Sequence, residues 1–314
     1  MPIDAPMMIS ALAPVLLVLG LGYAAGKHKS FDEDQTRGLS HLALTYALPA
    51  ALFLSMAHFK RETLIEQAPV ALVMLVGYSG LYIILYLLLR GARFTKLRAA
   101  LLGYTFASSS VPVFGLTVLE PIYGSETGSA VVGLVSLITN FAQVSIAVFL
   151  LESAAPQPGE RVSFIRSIGR AAANPLVWAP VLGGVLAILG LQLSPYAAGA
   201  LGPLAAAASG VSIFACGLVL ASHRLTLSPL VLLGSLVVLA LQPLLFFAAM
   251  KLGGLSGLMA NASVVASAFP TATISILFAR QYRTAEAEVA SIMLLTTLGM
   301  VVSIPLSLVA STYL

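Results

Sequence analysis

Charge is what this chain of 314 residues has least of: Asp, Glu, Lys and Arg together make up 9%, against about 25% in a soluble domain, which needs them to cover its surface. A water-soluble fold is thereby excluded. Hydrophobic residues reach 59%, and a mean hydropathy of +0.99 belongs to a chain whose solvent is the lipid bilayer. Cysteine occurs once, as Cys216 inside an apolar run, so no intrachain disulfide is available and a small buried hydrophobe is the plain reading. Histidines are few, and His28, His41, His58 and His223 all fall in polar breaks or near the ends of apolar runs, which argues against a proton relay through histidine at membrane depth. The net charge of +4 comes from basic residues scattered between apolar runs, without the aromatic-interleaved patch that nucleic acid requires.

What is abundant is apolar sequence in windows of about 20 residues, the length that crosses a bilayer as a helix. The windows predict spans at 9 to 26, 38 to 58, 68 to 90, 97 to 119, 128 to 151, 172 to 191, 197 to 221, 227 to 251, 257 to 280 and 288 to 311. The expectation is an all-α integral membrane protein with ten transmembrane helices. The first window has Asp4 before it and Lys27 and Lys29 after it, so it reads as a retained span and not as a secretory signal. Lys and Arg divide 13 to 3 between the two sets of alternate loops; only Lys60, Arg61 and Lys251 fall in the poorer set. The positive-inside rule then places the richer set in the cytoplasm and both termini outside. With no transit peptide, a bacterial inner membrane is the expected location.

Five spans per half is an odd number, so a second half built like the first enters the membrane the other way up. This is the inverted-repeat arrangement of secondary transporters. The expected organisation is residues 1–155 as the first five-helix repeat, 156–171 as a cytoplasmic linker with Pro156, Pro158 and Gly159, and 172–314 as the inverted second repeat. Prolines support the pairing: Pro14 with Pro175, Pro49 with Pro203, and Pro112 with Pro270, at offsets of 161, 154 and 158 residues.

The fourth span of each half is interrupted by polar residues. The first reads ASSSVPVFG, Ala107 to Gly115, and the second ASAFPTATIS, Ala266 to Ser275. Open backbone in hydrocarbon costs several kcal/mol per group, so a broken helix is tolerated only where protein or a wet cavity covers it. Two breaks at matching places predict crossing discontinuous helices in spans 4 and 9, whose half-helix N-termini offer N–H groups and a positive dipole end to an anion. The alternative is that Ser and Thr bond back to their own helices and Pro only kinks them. Candidate binding residues are Ser108, Ser109, Ser110 and Pro112 at the first break, Pro270, Thr271 and Thr273 at the second, Asn140 and Gln143 in span 5, and Thr297 beside Thr296 in span 10, with Ser55 in span 2. For Asn140 and Gln143, glue between helices is the competing role. No Asp, Glu, Lys or Arg lies in a span except near its ends, as Glu120, Glu152, Lys251 and Glu288 do, so the site is expected to work by neutral polar groups and backbone dipoles. No metal site or cofactor is expected.

Five stretches in sequence order carry a further resemblance: LPAALFLSMA (Leu48 to Ala57), FGLTVLEPIYG (Phe114 to Gly124), NPLVWAPVLGGVLAILG (Asn174 to Gly190), ASGVSIFACGLVLA (Ala208 to Ala221) and AFPTATISILFARQY (Ala268 to Tyr282). In these the chain resembles the auxin efflux carrier family, and within it the malonate-transporter-like bacterial members. The resemblance implies two inverted five-helix repeats, broken and crossing fourth helices, an elevator-like transport domain beside a scaffold, and carriage of small organic anions such as malonate. In the family's crossover an Asn often precedes a Gly-x-Pro; here Gly115 is present, Thr117 stands at the Pro position and Ser110 at the Asn position. The coupling ion, H+ or Na+, and a homodimeric state stay open, as does a sodium-coupled symporter of the related bile-acid type. An intramembrane enzyme would need a base near Ser108 to Ser110 or metal-binding acids at depth, and the sequence shows neither.

Overall fold

The computed structural model describes residues 5–57, 66–154, 172–191, 193–222 and 225–314, with Ile165 and Gly169 singly, and side chains from Leu12 onward. Most of the expected linker lies outside the described residues, as do His58, Lys60, Arg61, His223 and Arg224. Every regular element among the described residues is helical. In chain order they are α1 (Ala5–Lys27), α2 (Glu33–Leu42), α3 (Leu48–Ala57), α4 (Ala68–Gly91), α5 (Lys96–Ala107), α6 (Val111–Tyr123), α7 (Ser125–Leu137), α8 (Val144–Ala154), α9 (Pro175–Ile188), α10 (Pro195–Ala221), α11 (Pro229–Leu236), α12 (Gln242–Leu252), α13 (Leu258–Ser267), α14 (Ile274–Gln281) and α15 (Glu286–Ser311). Short π-helical turns at Ala43–Ala47, Ile138–Gln143 and Val237–Leu241 join α2 to α3, α7 to α8 and α11 to α12.

Seven of the resulting rods are long and apolar enough to cross a membrane, and three shorter apolar helices accompany them. Their burial differs in a way that locates the centre of the molecule. In Lys96–Tyr123, which contains the first break, 94% of the apolar window is buried, against 28% in Ala68–Gly91. The interrupted rod is therefore in the middle, and α4 faces outward with Leu72, Val76, Ile84 and Leu88 exposed. The rod holding α2 and α3 begins at Glu33, five residues before the hydropathy window. The cause is a cap: the Asp32 carboxylate accepts from the Gln35 N–H and the Gln35 amide oxygen accepts from the Asp32 N–H, at 2.8 and 2.9 Å. Such a box starts a helix in polar sequence that hydropathy does not register.

Two groups of helices meet along α6 and α7. One contains α1, α2, α3, α9 and α10, with α1 against α10 and α3 against α9 as its closest pairs; the other gathers α4, α5, α8 and α11 to α15 around the breaks. The α1 and α10 backbones touch because small residues recur at four-residue spacing on both, as Gly22 and Gly26 on α1 and Gly217 and Ala221 on α10, the spacing that lets membrane helices approach closely. A Cβ at Gly22 would lie 2.2 Å from the Phe214 carbonyl oxygen, and one at Gly217 2.4 Å from that of Leu19. Backbone cannot yield to such contacts, so Gly217→Val is expected to separate the helices and lower the melting temperature by several degrees. Gly20→Ala, where nothing lies within 4 Å, is expected to leave it unchanged. Thermal unfolding in detergent measures both, and equal melting temperatures would rule out this packing.

Candidate site at the two helix breaks

The first break, Ser108 to Ser110, separates α5 from α6. Pro112 sits in the first turn of α6, where its missing N–H costs nothing, while its ring would clash with the turn before it if α5 continued. The second break, Ala268 to Thr273, separates α13 from α14. The two are bonded to each other. The Ser110 N–H donates to the Pro270 carbonyl at 2.7 Å and the Ser110 hydroxyl to the Thr271 carbonyl at 2.5 Å. The Ser108 hydroxyl lies 3.0 Å from that of Thr271 and accepts from the Ala272 N–H at 3.1 Å. Ser109 donates to the Ala266 carbonyl at 3.2 Å, and Thr271 donates to the Thr105 carbonyl. Three serines in a row are thus spent on the other half of the chain.

The C-terminal ends of the half-helices α5 and α13 leave carbonyls without intrahelical partners, and other helices supply donors. The Gln143 amide donates to the Ala107 carbonyl and to the Tyr78 carbonyl, each at 3.0 Å. The Gln242 amide donates to the Ser267 carbonyl at 3.1 Å, and Ser303 to that of Ala268 at 2.9 Å. Gln143 and Gln242 are both fully buried.

The opposite, N-terminal ends of α6 and α14 line one cavity of about 180 Å³. Ser109, Ser110 and Pro112 form one part of its wall, Ala272, Thr273 and Ile274 another, and Thr139, Asn140, Thr45, Tyr104 and Asn174 complete the polar lining. The N–H groups of Thr273 and Ile274 have no backbone partner among the described residues. Asn140 bonds the Ser136 carbonyl at 2.8 Å through its amide nitrogen, which leaves its other N–H and its oxygen for a ligand. Among the described residues, no ionisable acid or base lines this cavity except the Tyr104 phenol. Such a lining can hold a small anion by N–H dipoles, an amide and hydroxyls.

The structure thus divides the sequence-derived candidates. Ser109, Ser110, Pro112, Asn140 and Thr273 line the cavity; Ser108 and Thr271 join the two breaks to each other, and Gln143 ties the end of α5 to α4; Pro270 accepts from Ser110. Thr297 bonds back to the Met293 carbonyl of its own helix, and its neighbour Thr296 accepts from the Thr271 N–H at 3.3 Å. Ser55 lies elsewhere, in a larger cavity of about 690 Å³ between α3, α6, α7 and α10. Sequence reasoning missed Gln242, Ser303 and Thr45. For Gln242 the signal was present, since a lone amide before Pro243 in an otherwise apolar run demands a buried partner.

Comparison with known proteins finds membrane transporters. A family profile described as "Membrane transport protein" matches residues 7–308. The chain is 31% identical over 300 residues to the Uncharacterized transporter YfdV of Escherichia coli (strain K12), covering 95% of this chain and 96% of the relative. The protein of that name from Shigella flexneri matches to the same extent.

Proposed function

The chain belongs to the membrane transport protein family, that of the auxin efflux carriers, and on that premise we propose that it is a secondary carrier of small organic anions, malonate or a related dicarboxylate, working by elevator-like alternating access. In this reading ten crossings form two inverted repeats, 1–155 and 172–314, joined by the 156–171 linker in a bacterial inner membrane, with both termini outside. The group of α1, α2, α3, α9 and α10 is the scaffold, and the helices around the breaks carry the substrate. The observation that carries the proposal is the shared cavity: two half-helix N-termini from distant parts of the chain line one small volume beside Asn140. Positive dipole ends and free N–H groups favour a carboxylate there.

A sodium-coupled symporter of the bile-acid type is the second reading. The half-helix carbonyls at which a cation would sit already accept hydrogen bonds from Gln143, Thr271, Ser109, Gln242 and Ser303, which favours the first. Proteoliposomes of the purified protein are expected to take up radiolabelled malonate saturably, with competition by dicarboxylates over monocarboxylates and no stimulation by sodium. Asn140→Leu, which removes the lone amide of the cavity wall outside the N-cap Asn174, is expected to raise KM at least about tenfold. Absence of saturable uptake, with no acid of the panel raising the melting temperature, would overturn the proposal.

A further inference from the structure

The four half-helices α5, α6, α13 and α14 carry a single carboxylate among them, Glu120. It stands about 12 Å along α6 from Pro112, at 1.5 Å per residue, and lines the cavity of about 690 Å³ farther along the same face of α6 as the crossover cavity, since Val113, Thr117 and Glu120 recur at helical spacing. Ser129 of α7 donates a hydrogen bond to it. A Cβ at Gly128 would lie 2.7 Å from the Glu120 backbone nitrogen, so α7 is clamped to α6 at this point and Glu120 keeps its place on the interrupted rod. The facing wall, from α3 and α10, is mainly Ala51, Leu54, Ala205 and Ala206.

We infer that Glu120 is the group that takes up and releases the proton of the transport cycle. The inference rests on the carrier reading above. With the cavity open, water solvates the carboxylate. Movement of α6 and α7 against α3 and α10 closes the cavity and presses Glu120 onto an apolar wall, where an unpaired anion is disfavoured and the neutral acid is not. The proton comes from cavity water and forms an O–H bond at one carboxylate oxygen, while Ser129 continues to donate to the carboxyl group. On reopening, the same O–H bond breaks and the proton returns to water.

Among the described residues, the elements packed around Glu120 place no cation beside it. On α7 the ionisable neighbour is Glu126, which also lines the cavity; on α6 it is Tyr123. α3 and α13 carry no ionisable side chain, and α10 carries Tyr196 near its start and the buried Cys216. α1 carries Lys27 in its last turn and Tyr23 one turn before it.

The test uses two readouts on the full-length protein. In a Cys216→Ala background, Ser209→Cys places a thiol in the cavity wall, and a membrane-impermeant maleimide reports whether the cavity is open. The labelling rate with Glu120, divided by that with Glu120→Gln, removes the thiol's own titration. This ratio is expected to fall from about tenfold at high pH toward one at low pH, and Glu120→Asp is expected to restore it. A ratio independent of pH overturns the inference.

In proteoliposomes, a proton gradient is expected to drive malonate accumulation by the wild type, with acidification of entrapped pyranine, and not by Glu120→Gln. Gradient-driven uptake by Glu120→Gln overturns the inference and leaves the carrier reading standing. A titrating ratio in a protein that transports no acid does the reverse. Melting temperatures of the variants within a few degrees of the wild type show that each is folded.

Discussion

Thr271→Val is expected to reduce transport at least about tenfold and to lower the melting temperature, although the two side chains have nearly the same shape. The residue is fully buried in the second break. Its hydroxyl donates to the Thr105 carbonyl near the end of α5 and lies 3.0 Å from the Ser108 hydroxyl. Valine supplies neither contact, and a buried acceptor left without a donor costs about 1–3 kcal/mol. Ser108 keeps its bond from the Ala272 N–H, so the whole loss is about 2–4 kcal/mol, enough to loosen the contact and too little to unfold the chain. The functional effect exceeds the stability effect because the two breaks both line one cavity, and a shift of about 1 Å between them misplaces every group that faces a ligand. Uptake and thermal unfolding measured on the same preparation check this. Wild-type transport by the valine variant would show that the bond between the breaks is dispensable.

The second large effect belongs to Gln143→Leu. One amide group ties the end of α5 to α4 by donating to the Ala107 and Tyr78 carbonyls, both at 3.0 Å. The Ala107 carbonyl ends a helix at membrane depth and has no other donor among the described bonds. Leucine fills the volume and donates nothing, so the cost is that of a bare carbonyl in a nonaqueous interior plus the lost tie between helices, about 2–4 kcal/mol. Gln242→Leu removes one hydrogen bond, that to the Ser267 carbonyl, where Gln143→Leu removes two, and is expected to cost less, by about the 0.5–1.5 kcal/mol of one net hydrogen bond. Calorimetric melting of the two variants side by side gives the order. The reverse order would mean that Gln143 acts at the substrate and Gln242 at the frame.

The interruptions themselves were legible in the sequence, because Ser, Pro and Gly inside an apolar window have no cheap explanation other than a covered break. So was the family, through stretches spread from Leu48 to Tyr282. The separate duties of Asn140 and Gln143 were not. On an α-helix residues three apart share a face, which makes the two look like one site. They lie in a π-turn, whose wider winding swings Asn140 to the cavity and Gln143 to the end of α5. Glu120 was set aside for standing near a span end, since hydropathy counts residues along the chain and cannot see a cavity reaching down beside a helix. Gly22 and Gly26 spell a recognisable spacing, but only their approach to Phe214 and Ala221 tells which helix they meet.

The reciprocal bonding of the breaks also bears on how the protein is made. Ser110 and its acceptor Thr271 are 161 residues apart, and at about 5–20 residues per second a ribosome needs about 8–30 s to travel from one to the other. For that interval the hydroxyls of Ser108, Ser109 and Ser110 and the carbonyl of Thr105 are in or beside the bilayer without the partners they have in the finished protein. The first break therefore cannot assume its final form when its own rod is inserted. It must wait in a translocon, in a protein-lined shelter or as an unbroken helix, and set only when the second arrives.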